Sequence, residues 1–197
     1  MILWTIQRLD AWNKLQKSGV LSGRQQYVDP YFVTAYQWLV EQMKTRIGPP
    51  PEADVFPIWA WYQWEGQKKK PDLRSGGHLP KGELGVSIEF EASENRVLLS
   101  DFDLWHYVLN YWYLPKSLAE GDRFEAELEG KGMSFYKDKP LLDIKYHQQI
   151  VESWQRIFDF SWHDEDISNT VEQRSIQATL WELHMNDVQD IRTFKAR

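Results

Sequence analysis

The sequence contains no cysteine in 197 residues. Disulfides, thiolate metal sites and cysteine nucleophiles are therefore excluded, and the composition fits a cytoplasmic protein. Long apolar runs are also missing. Stretches such as Val97-Leu98-Leu99 are far too short to cross a bilayer, and Met1-Ile2-Leu3-Trp4 has no basic region leading into an apolar run. We expect neither a membrane partner nor export. No Gly-x-Gly-x-x-Gly, Walker loop or Gly-x-Ser-x-Gly elbow occurs, which sets aside ordinary Rossmann, P-loop and α/β-hydrolase chemistry. Positive charge is scarce too: the net charge is −6, and Lys68-Lys69-Lys70 is the one lysine cluster. That balance argues against a broadly basic nucleic-acid footprint. His78, His106, His147, His163 and His184 show no spacing typical of a metal site, and no metal ligand is assigned.

What the sequence does have is aromatic side chains: eleven tryptophans, nine tyrosines and nine phenylalanines. Each ring buries a large area, and a buried indole needs a partner for its N–H, so most of these rings belong in a core. Any surplus can line a pocket for a flat ligand, because stacking on a base or a nicotinamide uses the same rings. Hydrophobic residues make up 42% and charged residues 26%, which fits a globular chain rather than a disordered one. At this length one core is expected, with residues 1–197 forming a single domain.

Along the chain, Ile2 to Gln7 reads as a strand, followed by a helix with Leu9, Trp12 and Leu15 on one face and Gly19 as its C-cap. Asp29-Pro30 opens a second helix carrying Phe32, Ala35, Tyr36, Leu39, Val40, Met43 and Ile47, which Gly48 and Pro49-Pro50-Pro51 stop. Phe56 to Trp64 reads as a strand with apolar residues on both faces. Residues 65–82 hold four glycines and two prolines and read as a long mobile loop. Leu84 to Phe90 and Arg96 to Leu99 look like a hairpin turned at Glu94-Asn95. Ser100 is placed to cap a helix carrying Phe102, Trp105, Val108, Leu109 and Trp112, closed by Pro115. Residues 116–139 read as a charged surface excursion, and Pro140 opens a helix with Leu141, Ile144, Val151, Trp154, Ile157 and Phe158. Ser161 to Glu172 reads as an acidic connection. Ile176 to Leu183 and Asp190 to Phe194 read as two strands joined by a tight turn near Asn186-Asp187. The expected fold class is α+β: a central, mostly antiparallel sheet with about three packing helices.

Two groups of residues suggest chemistry. Asp101-Phe102-Asp103 follows the apolar run Val97-Leu98-Leu99, a placement similar to the nucleophile strand of haloacid-dehalogenase-like phosphatases and to the metal-binding Asp-x-Asp of glycosyltransferases. Paired carboxylates at a strand end suit a hard cation, or attack on phosphate with acid–base help. The plainer account is that Ser100, Asp101 and Asp103 cap a helix, where carboxylates are favoured by the helix dipole. In the 65–82 loop, Pro71-Asp72-Leu73-Arg74 sets an acid and a base two residues apart, able to pair with each other or with a ligand's phosphate or carboxylate.

Trp4-Thr5-Ile6-Gln7, Phe56-Pro57-Ile58-Trp59-Ala60-Trp61, Pro71-Asp72-Leu73-Arg74, Leu98-Leu99-Ser100-Asp101-Phe102-Asp103 and Ile176-Gln177-Ala178-Thr179-Leu180-Trp181-Glu182 together resemble an uncharacterised bacterial domain-of-unknown-function family of similar length. That resemblance spans nearly the whole chain and brings no activity with it. Ile2 to Leu21 and Gln177 to Phe194 are also similar, more faintly, to ADP-ribosyltransferases of the nucleic-acid-modifying kind. This second likeness implies NAD as a cofactor and a nucleic acid or protein as target. It puts Trp4 and Thr5 near the nicotinamide pocket and Gln177 where the catalytic glutamate of those enzymes often lies. Because an amide cannot supply negative charge to an oxocarbenium-like centre, either Glu182 substitutes or the domain binds without catalysing. The resulting expectation has Thr5, Trp59, Trp61 and Arg74 toward the cofactor, Gln177 or Glu182 on the catalytic strand, and Asp72, Asp101 and Asp103 toward substrate. The alternatives are a non-catalytic recognition domain that binds protein or nucleic acid, and a metal-dependent phosphate or sugar enzyme using Asp101 and Asp103.

Overall fold

The apolar start of the chain forms strand β1 (Ile2–Arg8), which runs directly into helix α1 (Leu9–Ser18). The computed structural model describes residues 1–170 and 172–197, and over these the chain groups into two units. The first comprises Met1–Trp64, Lys68–Leu99 and Ile176–Arg197; the second comprises Glu65–Gln67 and Ser100–Ser175.

In the first unit α1 buries Trp12 and Leu15, three residues apart on one face. It ends at Gly19, whose φ of 79° lets its N–H reach the Leu15 carbonyl at 2.8 Å. Strand β2 (Val20–Arg24) follows. The helix expected from Pro30 starts with a 3-10 turn, Pro30–Phe32, in which Asp29 accepts the Tyr31 N–H. Helix α2 (Val33–Ile47) then buries Ala35, Leu39, Val40 and Met43 and stops at Gly48. The remaining strands are β3 (Val55–Phe56), β4 (Ile58–Gln63), β5 (Leu84–Glu91), β6 (Leu98–Asp101, of which Leu98 and Leu99 belong here), β7 (Ile176–Leu180), β8 (Glu182–His184) and β9 (Val188–Lys195).

Six strands form one sheet in the order β6-β7-β4-β1-β5-β9, and β3-β2-β8 form a second. Both corrections to the strand pairing come from this order. β5 and β6 are not a hairpin, since β5 lies between β1 and β9 while β6 lies at the far edge beside β7. Nor do the last strands form a hairpin: β7 pairs with β4, β8 with β2, and β9 with β5. Local turn signals identified the turns correctly but not the partners, which are set by the faces the strands must bury.

Residues directly opposite each other across antiparallel strands share a face. Leu3 faces Phe90 and Thr5 faces Ile88, and Leu3, Ile88 and Phe90 are fully buried in the core with Ala60, Ala178 and Leu180. The other face carries a row running across five strands: Gln177, Trp61, Trp4, Glu89 and Asp190. At Gly23 of β2 a Cβ would lie 2.5 Å from the Phe56 carbonyl oxygen, so only glycine allows the approach of β3.

The second unit is helical. Helix α3 (Phe102–Leu109) buries Leu104, Trp105 and Val108; its cap is Asp101, not Ser100, whose hydroxyl is buried. Residues 116–139 are more than a surface excursion, because Ser117 caps helix α4 (Leu118–Glu129), which buries Phe124 and Leu128. Helix α5 (Ile144–Ser153) begins at the cap Asp143, later than Pro140 suggested, and buries Tyr146 and Ile150. Residues 161–170 form an irregular connection tied to Arg174, which is fully buried. Its guanidinium donates to the carbonyls of Asn169 (2.8 Å), Asp159 (3.3 Å) and Trp162 and lies 3.3 Å from the Asp101 carboxylate.

The fold class is α+β with antiparallel sheets, as expected. It is richer than expected, with nine strands in two sheets and five α-helices among the described residues. No helix among them is long and apolar enough to cross a membrane.

Candidate functional site

Where β1 passes into α1, the chain leaves a cavity of about 480 Å³ in the first unit. That volume lies in the usual range for small-molecule and cofactor sites, roughly 300–1,000 Å³. Its walls include Arg8, Asp10, Lys14, Tyr27 and Trp59, with Ser22 and Gly23 of β2. Tyr27 is 74% exposed, so its ring is open to solvent. The Trp59 indole stands against Tyr36 of α2, with ring centroids 5.9 Å apart and an interplanar angle of 69°. Arg8 is shared between Asp10 and Glu83, both at 3.5 Å, whereas Lys14 makes no ion pair among the described residues.

Thr5 lies beneath this site rather than in it. Its hydroxyl donates to the Trp59 carbonyl at 2.7 Å and accepts from Gln7 Nε2 at 2.8 Å, and its side chain is on the core face. Thr5 therefore positions the Trp59 backbone, while the Trp59 and Trp61 rings belong to the opposite face.

A second, smaller cavity of about 280 Å³ lies on that opposite face, near Trp4, Asp72, Ser87 and Arg192. Here the Trp4 indole donates to Glu89 at 2.9 Å, and the Lys70 ammonium bridges Glu89 at 3.0 Å and Asp190 at 2.8 Å. The Trp4 hydrogen bond, then Lys70, holds the Glu89 carboxyl below its ordinary range, while Asp190 and Glu89 push Lys70 up. Lys70 thus ties the 65–82 loop to the sheet.

The other expected site residues are dispersed. Arg74 is spent on Asp72 in a two-pronged pair, with Nε to Oδ1 at 2.9 Å and Nη2 to Oδ2 at 2.8 Å, and this guanidinium holds Asp72 well below the usual carboxylate range. Gln177 sits opposite Trp61 on β7, and its Oε1 is buried with no hydrogen-bond partner among the described residues. Glu182 is on β8 in the other sheet, opposite Ser22 and 3.4 Å from the His184 ring. Trp61 packs edge-on against Trp64, 4.7 Å between centroids. In the second unit Asp101 accepts the N–H groups of Asp103 and Leu104 at 2.9 and 3.0 Å and faces Arg174. Burial pushes its carboxyl up, against those partners. Asp103 is exposed and meets Asn169 at 3.4 Å. Among the described residues no three His, Asp or Glu side chains converge as a metal site.

The DUF3841 family model, described as a domain of unknown function, matches residues 2–189. The chain belongs to this family. The match takes in the whole first cavity and all of the expected site residues, so these features lie within the family's domain. No curated protein and no solved structure matches the chain.

Sequence reading found Trp59 and Trp4 but missed Arg8, Lys14, Tyr27, Glu89 and Asp190. Glu89 was legible, as the outward residue between Ile88 and Phe90 in an alternating strand. Tyr27 and Lys14 carry no local signal, because it is the β2 crossing at Gly23 that brings them to one cavity.

Proposed function

We propose that this domain binds a phosphate-bearing ligand with a flat ring, of which NAD is the first to try, in the cavity between β1, α1 and β2. The observation that carries this reading is one ligand-sized cavity lined by Tyr27 and Trp59 together with Arg8 and Lys14, of which only Arg8 is paired with the lining carboxylate Asp10. Rings offer stacking surface and the cations oppose phosphate charge. Binding rather than transfer is proposed. Gln177 has an amide where charge is needed, Glu182 lies in the other sheet, and neither lines this cavity. A cytoplasmic location accords with the absence of cysteine. Calorimetric titration with NAD tests the reading. Saturable binding below about 1 mM that Lys14→Glu weakens about tenfold, and Arg74→Ala leaves alone, supports it. No heat at that concentration, or equal binding by Lys14→Glu, overturns it.

A further inference from the structure

Helix α4 presents Leu118, Gly121, Asp122 and Glu125 along one stripe, at helical spacings of three and four. This stripe forms one wall of a cavity of about 250 Å³ within the second unit. The facing wall is aromatic: Tyr107, Trp112, Tyr113, Phe135 and Tyr136 all line it. The rings brace one another, Tyr107 edge-on to Trp112 at 6.0 Å, Trp112 to Tyr136 at 6.3 Å, and Phe135 to Tyr136 at 4.4 Å. Tyr113 is held from behind by stacking on Phe124 at 4.0 Å and by donating to Glu120 at 2.9 Å. The two carboxylates of the wall are unopposed, since no lysine or arginine lines the cavity. Glu125 accepts the Tyr136 hydroxyl at 2.8 Å, and Asp122 is exposed at the rim.

Ring faces bear the negative end of the aromatic quadrupole and attract a cation placed over them. Two carboxylates and no cation give the wall one sign of formal charge, which any ring face turned to the cavity reinforces. A metal ion needs more oxygen ligands than this wall offers, and a primary ammonium holds a strong hydration shell that ring faces do not replace. A methylated ammonium spreads its charge over methyl groups and suits ring faces. The cavity is slightly below the range for drug-sized ligands, roughly 300–1,000 Å³, which favours a free solute of a few heavy atoms. We propose that the second unit carries a binding site for a small quaternary ammonium solute, enclosed by Trp112 and Tyr136 with Asp122 and Glu125 supplying the counter-charge.

The test is calorimetric titration of the full chain with choline, beside its neutral carbon isostere dimethylbutanol and a peptide bearing trimethyllysine. Choline is expected to bind about tenfold tighter than the isostere, as a cation–π and carboxylate site requires. Glu125→Gln and Tyr136→Leu are each expected to weaken choline about fivefold, at sites where Tyr136 is already 55% exposed. Should Tyr136→Leu fail to fold, Asp122→Asn at an exposed position carries the same test, with a loss of about threefold. Equal binding of choline and the isostere overturns the proposal, as does the absence of saturable choline binding up to about 10 mM. Tighter binding of the trimethyllysine peptide overturns the assignment to a free solute.

Discussion

Two of the cavities differ in the balance of their lining charge. In the first unit Tyr27 and Trp59 share a lining with Arg8 and Lys14 and the single carboxylate Asp10; in the second, Trp112 and Tyr136 share one with Asp122 and Glu125 and no cation. Aromatic walls alone say little about a ligand, since every ring offers the same apolar area. The few charged groups at the wall select between an anionic and a cationic occupant. The two sites also differ in how their charges are held. Arg8 is already shared with Asp10 and Glu83, whereas Asp122 and Glu125 face no cation in their cavity.

The comparison breaks most severely if the buried network of the second unit is removed. Arg174→Met leaves the buried Asp101 carboxylate without its guanidinium and frees the carbonyls of residues 159, 162 and 169. A loss of about 3–5 kcal/mol is expected for such a break, read as a lowered denaturation midpoint, whereas Arg74→Ala in its exposed pair leaves the midpoint unchanged. An Arg174→Met protein as stable as the parent would show that the ion pair organises nothing.

A smaller effect sharpens the contrast. Lys14→Glu is expected to weaken NAD about tenfold and leave choline untouched, while Glu125→Gln does the reverse, about fivefold on choline alone. Either substitution acting on both ligands would mean that one site, or one global change, serves both.

Acid distinguishes the 65–82 loop from both cavities. Glu89 and Asp190 have carboxyls held below their ordinary values by Trp4 and Lys70, so their contribution is complete above the usual carboxylate range, about pH 4–5, and is lost as pH falls through the lower folded values. Limited proteolysis in this loop by an acid-active protease should rise at low pH before the sheet unfolds. Lys70→Met should produce the same cleavage at neutral pH. Cleavage that is independent of both would show that Lys70 is not the tether.

The smallest expected effect is at high pH. Burial and Glu120 push the Tyr113 hydroxyl up to about 12, and burial and Glu125 do the same for Tyr136. Because the folded values exceed the unfolded one, the stability these groups contribute is complete below about pH 10 and is lost as pH rises toward 12. An absorbance titration should show two tyrosines ionising late, and Glu125→Gln should bring one of them earlier.

Much of the fold was legible wherever a local rule governs it. Gly19 ended α1 and Gly48 with Pro49 ended α2, because backbone conformation at glycine and proline depends on few neighbours. Of Ser100, Asp101 and Asp103, all read as capping α3, it is Asp101 whose side chain does so. The strand partners were not legible: Leu84 to Phe90 and Arg96 to Leu99 carry the marks of a hairpin, yet they lie at different places in the six-stranded sheet. Helix α4 was hidden by its charge, since only Phe124 and Leu128 are buried in twelve residues. Of the candidate site, single residues such as Trp59 and Asp72 were legible, but not their company. Thr5 and Trp59 looked like neighbours in a pocket, while the pleat sends their side chains to opposite faces.

The first unit is discontinuous in the chain: residues 100–175 intervene between its β6 edge and the strands β7, β8 and β9. A ribosome therefore delivers the whole helical insertion before three strands of the sheets exist. Until then β4 and β5 lack their partners β7 and β9, and β2 lacks β8. Unpaired strands of this kind are templates for association between nascent chains. A stop in translation anywhere before residue 176 would leave this protein with its stickiest edges open.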